Sequence, residues 1–342
     1  MSDFAIETFD LTKMFMVKKK GKNFLGKLLS KEEGTVVAVD HINLQIKSGE
    51  LFGLLGPNGA GKTTMHACIR MLSTVLLPNE GTAKVDGFDI VNEPERVREN
   101  IGVLMMGERS LYWKLTAREN LEYFAAMYHM PPKIAKERID YFLKWMNLYE
   151  RADDYVEHYS SGMKQRLALV RCLLHDPPIL MLDEPTLGLD PHAARDLRSL
   201  ITSLKEEGKT IILTTHYMEE ADQLCDRVAI IHQGKIIALD SPSALKKNLT
   251  NEEALEIEVS NYNDRILECL KQIEGIISVA CISLDESSSI GTIRIHIEDS
   301  RKSLQSIIKT CNKLDGKINH IDVSTPTLED VFISLTGEAL RA

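Results

Sequence analysis

The segment Gly56-Pro57-Asn58-Gly59-Ala60-Gly61-Lys62-Thr63-Thr64 lies directly after the apolar run Leu51 to Leu55 and directly before a helical run. It satisfies G-x-x-x-x-G-K-[ST] in the strand, loop and helix setting that a phosphate-binding loop requires. Its glycines let the backbone bend around an anion without Cβ clashes, and the amides at the helix N-terminus then point at negative charge. Lys62 is expected to reach the β and γ phosphates of a nucleotide, and Thr63 to offer its hydroxyl to magnesium. An ordinary glycine-rich turn would meet this spacing by chance in only about one such chain in a hundred at average glycine usage.

A loop of this kind needs a buried strand behind it, and the rest of the first 240 residues supplies the setting. Short β-rich runs alternate with helical stretches from Phe4 to about Asp240, the pattern of an α/β sheet with crossover helices. The strand candidates Leu51 to Leu55, Gly102 to Leu104, Ile179 to Leu182, Thr210 to Thr214 and Val228 to Ile231 are apolar enough to be buried on both faces. Between Leu115 and Trp145 the period changes to that of a helix, with Leu121, Phe124, Ala125 and Tyr128 on one face. This stretch reads as a helical subdomain inserted at about residues 107–163. After Leu239-Asp240-Ser241-Pro242 a second series begins: strand, helix, strand, strand, helix, strand, from Ala254 to Val323. That order predicts a small α+β, ferredoxin-like domain within 251–342, and the length of 342 residues suits two domains.

Ile179-Leu180-Met181-Leu182-Asp183-Glu184-Pro185 is an apolar strand ending in two carboxylates, which puts both at the sheet edge where ligands bind. Asp183 suits a magnesium shell, and Glu184 can accept a hydrogen bond from a water attacking a γ-phosphate. Alone, such a pair more often starts a turn or caps a helix. Here Gly188-Leu189-Asp190-Pro191 follows, and Thr214-Thr215-His216 closes the next strand.

The phosphate loop, then Tyr159-Ser160-Ser161-Gly162-Met163-Lys164-Gln165-Arg166, then LMLDEP, GLDP and TTH, in that order, resemble the ATP-binding subunit of an ABC transporter. The segment YSSGMKQR stands where the family's LSGGQ signature lies and is similar to the version in drug and sodium export ATPases. The resemblance covers residues 1–240 and implies a P-loop ABC ATPase core that binds ATP and Mg²⁺. It also implies a head-to-tail dimer in which the phosphate loop of one subunit and Ser160, Ser161 and Gly162 of the second ATP-binding subunit enclose each nucleotide. Within one chain those three residues need be no more than a helix cap. By the same resemblance His216 contacts the γ-phosphate, Asp190 crosses the dimer interface and Phe15 stacks on adenine. An aromatic beside an apolar strand serves equally well as core.

Two features depart from the family pattern. A glutamine is expected where the core meets the helical subdomain, yet the chain reads Gly102-Val103-Leu104-Met105-Met106-Gly107-Glu108-Arg109. Met106 or Gly107 takes the position, and either Glu108 or water completes the magnesium shell. The second departure is an insert between Phe15 and Thr35 that mixes Lys18, Lys19, Lys20, Lys22, Lys27 and Lys31 with Phe24, Leu25, Leu28 and Leu29. A solvated loop is its plain reading, and contact with an anionic membrane surface is the alternative. The end of the chain, Thr327-Leu328-Glu329-Asp330-Val331-Phe332, is similar to the ending of the same export branch. Physically it reads as a helix start at Thr327 and Asp330, with Leu328, Val331, Phe332 and Leu335 as the buried face.

Composition narrows the function further. A net charge of −9 disfavours a nucleic-acid grip. Asp3, Glu7 and Asp10 stand where a signal peptide needs a basic start, and no apolar run approaches the ~20 residues of a membrane span. The six cysteines are scattered without close pairs, which suits the cell interior. The resemblance implies an ATPase at the cytoplasmic face of the membrane, driving export through a separate transmembrane permease subunit, and the composition is compatible with it. Tyr112 and Trp113 either touch that subunit or pack internally. A GTPase is disfavoured because Asn312-Lys313-Leu314-Asp315, an N-K-x-D string, falls in the second domain. A soluble ABC ATPase of translation or DNA repair is disfavoured by the single cassette and the acidic balance.

Overall fold

The computed structural model describes residues 3–18, 33–56, 62–105, 111–247, 253–285, 290–297, 300–324 and 326–337. In chain order the elements of the nucleotide-type sequence are β1 (Phe4–Lys18), β2 (Glu33–Lys47), β3 (Leu51–Leu55), α1 (Lys62–Leu72), β4 (Glu80–Val85), β5 (Phe88–Asp89), α2 (Pro94–Glu99) and β6 (Ile101–Leu104). They continue with α3 (Ala117–Met127), α4 (Pro132–Trp145), α5 (Ser161–Leu173), β7 (Ile179–Asp183), α6 (Pro191–Glu206), β8 (Thr210–Thr215), α7 (Met218–Leu224), β9 (Arg227–His232), β10 (Lys235–Asp240) and α8 (Pro242–Lys247). The last elements are β11 (Glu253–Ser260), α9 (Asp264–Leu270), β12 (Ile276–Asp285), β13 (Ile290–Ile297), α10 (Ser300–Lys313), β14 (Lys317–Ser324) and α11 (Leu328–Thr336). The chain divides into two compact units, one of residues 1–216 and 224–236, the other of 217–223 and 237–342.

In the first unit, β9, β3, β8, β7 and β6 lie side by side, each neighbouring pair parallel. Every residue of β3, β7 and β8 is buried, so these strands are covered on both faces, as all-parallel sheets require. β8 sits between β3 and β7, although it follows both in sequence. This order brings the ends of β3, β7 and β8 to one edge: Gly56, the Asp183-Glu184 pair and His216. A second sheet of order β2-β1-β4-β5 is antiparallel, and Ile6, Leu11, Val39, Ile46 and Val85 from it join the core beneath α1.

The expected helical insert is α3 and α4, leading into α5. Thr116 caps α3 in a reciprocal box with Glu119, satisfying two helix-start amides at once. Arg118 ties α3 to α4 through Asp140 at 2.7 Å. α5 returns against β6, where Gly102 leaves no room for a side chain: an added Cβ would lie 2.4 Å from the carbonyl of Cys172 and 2.8 Å from Leu180 Cδ2. Gly102→Ala is therefore expected to destabilise the first unit by about 1–3 kcal/mol through overpacking. A drop in its thermal unfolding midpoint checks this, and an unchanged midpoint would show that α5 yields.

The second unit carries a sheet of order β12-β13-β11-β14, with all neighbours antiparallel. This is the strand order of the expected ferredoxin-like fold. Leu255, Ile257 and Val259 of β11 and Ile293, Ile295 and Ile297 of β13 point to one face, as period-2 alternation requires. There they form a core with Ile266 and Leu270 of α9 and Ile307 and Cys311 of α10. On the alternate positions of β13, Arg294 and His296 meet Asp330 of α11. α11 begins with the expected capping box of Thr327 and Asp330. Its buried face differs by one residue from expectation: Leu328, Val331, Phe332 and Ile333 are buried, whereas Leu335 is 51% exposed.

Candidate functional site

Gly56 is buried at the end of β3 and Lys62 opens α1. Pro57, Asn58, Gly59, Ala60 and Gly61 lie outside the described residues, and so do Met106, Gly107 and Glu108 and the basic insert from Lys19 to Lys31. Thr63 is exposed, as a hydroxyl that meets a ligand must be. Thr64 is buried and donates to the carbonyl of Ala38 at 2.6 Å, anchoring α1 to β2.

At the edge formed by β7 and β8, two carboxylates are held in different ways. Asp183 is 3% exposed; its Oδ1 accepts from Thr214 Oγ1 at 2.6 Å and its Oδ2 from His66 Nδ1 at 2.7 Å. Glu184 stands in the left-handed region at φ 48°, a conformation that costs a residue with a side chain ~1–3 kcal/mol and tends to accompany function. The backbone turn is secured by the Glu184 amide, which bonds to the carbonyl and to Oγ1 of Thr214 at 3.0 and 3.1 Å. The Glu184 side chain is 1% exposed, and its Oε1 and Oε2 lie 2.8 and 2.7 Å from His216 Nδ1. One carboxylate can thus orient metal-bound water while its neighbour, with an imidazole beside it, handles a proton. Thr214 serves both by donating to Asp183 and accepting from Glu184. Thr214 and His66 are site residues that the sequence does not mark as such. The first lies in the TTH string, and the second stands one helical turn after Lys62.

The remaining expected residues fall at helix starts. Ser160 caps α5, its Oγ accepting from the Met163 amide at 3.3 Å. Ser160 and Ser161 are exposed. Gly162 is buried, and a Cβ there would come to 3.0 Å from Ala193 Cβ, so α5 and α6 approach closely. Gln165 donates from Nε2 to the Pro185 carbonyl at 2.7 Å, tying the start of α5 to the loop after Glu184. Asp190 caps α6 by accepting from the amides of Ala193 and His192 at 2.9 and 3.0 Å. Those amides, Ala193's foremost, hold its carboxyl below the ordinary carboxylate range. Phe15 is half-buried against the core of the first unit, with Lys13 Nζ 5.7 Å from its ring centre.

Ahead of α3 a concavity of about 410 Å³ is lined by Tyr112, Trp113, Lys114, Leu115 and Tyr123. Asn120 is buried and fixes this loop: its Oδ1 accepts from the Tyr112 amide at 2.8 Å and its Nδ2 donates to the Tyr112 carbonyl at 2.9 Å.

Residues 39–187 match the family model described as ABC transporter, and residues 241–336 match that of the ATP-binding protein DrrA1-3-like, C-terminal domain. The linearmycin resistance ATP-binding protein LnrL of Bacillus subtilis is 35% identical over 313 residues, which span 92% of this chain and 98% of that protein. The chain belongs to the ATP-binding subunits of ABC transporters. As an ABC ATPase it binds and hydrolyses ATP. The daunorubicin resistance ATP-binding protein DrrA3 of Streptomyces coeruleorubidus is similar at 33% identity, over 91% of this chain and 95% of that protein. Among solved structures, a dimeric post-hydrolysis state of the ATP-binding cassette MJ0796 bound to ADP and phosphate superposes with a TM-score of 0.58 at 26% identity. That match covers 69% of this chain and 98% of the cassette. The matches to LnrL and DrrA3 each span more than nine-tenths of this chain and of the relative, so they run through both the cassette and the residues that follow it.

Proposed function

We propose that this ABC ATPase powers export of an antibiotic-like organic compound through a separate transmembrane permease. Residues 1–240 are the ATP-driven motor and residues 251–342 an accessory domain. The observation that carries the ATPase mechanism is the Glu184 and His216 pair beside Asp183 at one sheet edge. In this reading Glu184 accepts the proton of the attacking water, and Lys62 and His216 face the phosphoryl oxygens. Thr63 and Asp183 hold magnesium.

Among the described residues no cluster of three or more His, Cys, Asp or Glu could cage a metal. The donor set of one carboxylate and one hydroxyl fits an ion that keeps its waters and binds largely through substrate phosphates, as magnesium does. When bound, the ion would neutralise charge on the β and γ phosphates.

Two copies would close head to tail on two nucleotides. Ser160, Ser161 and Gly162 of one copy would face the γ-phosphate held by the other, with Asp190 near the seam. Phe15 would lie against adenine. The export direction rests on the relatives named for antibiotic resistance and on the signature variant. The apolar concavity of Tyr112, Trp113 and Tyr123 suits a short helix of the permease, which would hold the chain at the cytoplasmic face. No helix among the described residues is long and apolar enough to cross a membrane itself.

Affinity capture of the chain from detergent-solubilised membranes, with mass spectrometry of what co-purifies, tests the reading. The expected partner has about six helical spans of ~20 apolar residues. Recovery with ribosomes or DNA alone would overturn the transport assignment and leave the ATPase intact.

A further inference from the structure

Beyond Thr64, the buried residues of α1 are apolar: Met65, Ala67, Cys68, Ile69, Met71 and Leu72. His66 breaks that series. Its side chain is 27% exposed and its Nδ1 lies 2.7 Å from Oδ2 of Asp183, a residue 117 positions away whose side chain is 4% exposed. Because an ionised carboxylate only accepts, Nδ1 is the donor. The other oxygen of Asp183 is already engaged by Thr214 Oγ1 at 2.6 Å. Donors from α1 and from β8 thus grip the two oxygens from two separate elements. The terminal torsion of an aspartate is otherwise broad and nearly two-fold, and the paired donors remove that freedom. Each oxygen keeps a second lone pair, and these two lone pairs are aimed by the grip.

We propose that His66 is a positioning residue for the magnesium site, holding the Asp183 carboxylate in the orientation that metal or its bound water requires. The inference rests on the assignment of Asp183 to magnesium. His66 does not touch the nucleotide in this role; it acts through Asp183, and it follows Lys62 on α1 by about one helical turn. Hydrogen-bond partners of metal-associated carboxylates typically contribute 10–100-fold to metal affinity.

Mn²⁺ affinity of the full chain saturated with ADP, read from free Mn²⁺ by electron paramagnetic resonance, tests this directly. His66→Leu, which suits the apolar helix but cannot donate, is expected to weaken Mn²⁺ binding about tenfold. ADP binding in EDTA should be unchanged. His66→Asn, whose amide nitrogen lies as many bonds from Cβ as Nδ1 does, is expected to restore most of that loss. Unchanged Mn²⁺ affinity in His66→Leu, or an equal loss in the leucine and asparagine variants, would overturn the inference. Asp183→Asn measured alongside separates the two readings. A loss there without one in His66→Leu overturns only the role of His66, whereas no loss in Asp183→Asn overturns the magnesium assignment itself.

Discussion

Glu184→Gln is expected to bind ATP as tightly as the parent chain while losing roughly 10²–10⁴-fold in turnover, the range that a general base contributes. The exchange keeps the size of the side chain and leaves its backbone alone. That matters because Glu184 sits at φ 48° with its amide held by Thr214, and glutamine can keep that turn and still accept one bond from His216 Nδ1. What it cannot do is take a proton from water. With binding intact and hydrolysis slowed, the closed, ATP-bound form should accumulate, seen as a dimer on size exclusion in Mg-ATP. Single-turnover hydrolysis reads the chemical step apart from product release. Near-normal turnover in that assay would falsify the assignment of Glu184 as base and shift attention to His216, whose side chain is 13% exposed beside it.

The parts of this site that were legible in the sequence are those carried by contiguous strings. β3, β7 and β8 announce themselves as unbroken apolar runs because both faces are covered. Asp183, Glu184 and His216 stand at strand ends, where the direction of the chain alone predicts a common edge. The ferredoxin-like order of the second unit follows likewise from the sequence of strand and helix lengths. What could not be read depends on neighbours far apart in the chain. Nothing near His66 says that α1 will pack beside β7, and its 2.7 Å bond to Asp183 exists only because of that crossover. Thr214 reads as a strand residue until β8 is inserted between β3 and β7. On α11 the helical period is correct, yet Ile333 is buried and Leu335 exposed. Sequence marks an apolar stripe, but the width of the covered arc is set by what packs on it.

Asp330→Ala is expected to loosen the second unit by about 3 kcal/mol, since removing one member of a buried ionic group typically costs ~3–5 kcal/mol. Asp330 is fully buried. Its Oδ1 lies 3.1 Å from His296 Nε2 and 3.5 Å from a guanidinium nitrogen of Arg294, while its Oδ2 accepts from the Thr327 amide at 2.6 Å and hydroxyl at 2.7 Å. One carboxylate therefore both caps α11 and fastens it to β13. Glu256, 2.9 Å from Arg294, remains as a partner for the guanidinium after the change, which keeps the loss near the lower bound. Burial alone would push the Asp330 carboxyl up, but His296, Thr327 and Arg294 outweigh it and hold it below the ordinary value. A carboxyl held low in the fold stabilises it at pH above the unfolded value of about 3.9, and that contribution is lost as pH falls through the folded value. Hydrogen exchange of the β11 to β14 amides in the full chain, along a urea series, reads this unit separately from the first. Near pH 7 the protection of those strands should fall by about 150-fold in Asp330→Ala, the equivalent of 3 kcal/mol. As pH falls from about 4 through the lower folded value, the gap between parent and variant should narrow. A gap that stays constant across that pH range would mean that Asp330 acts through packing and helix capping, and that the charge of the Arg294 and His296 cluster contributes nothing to holding α11.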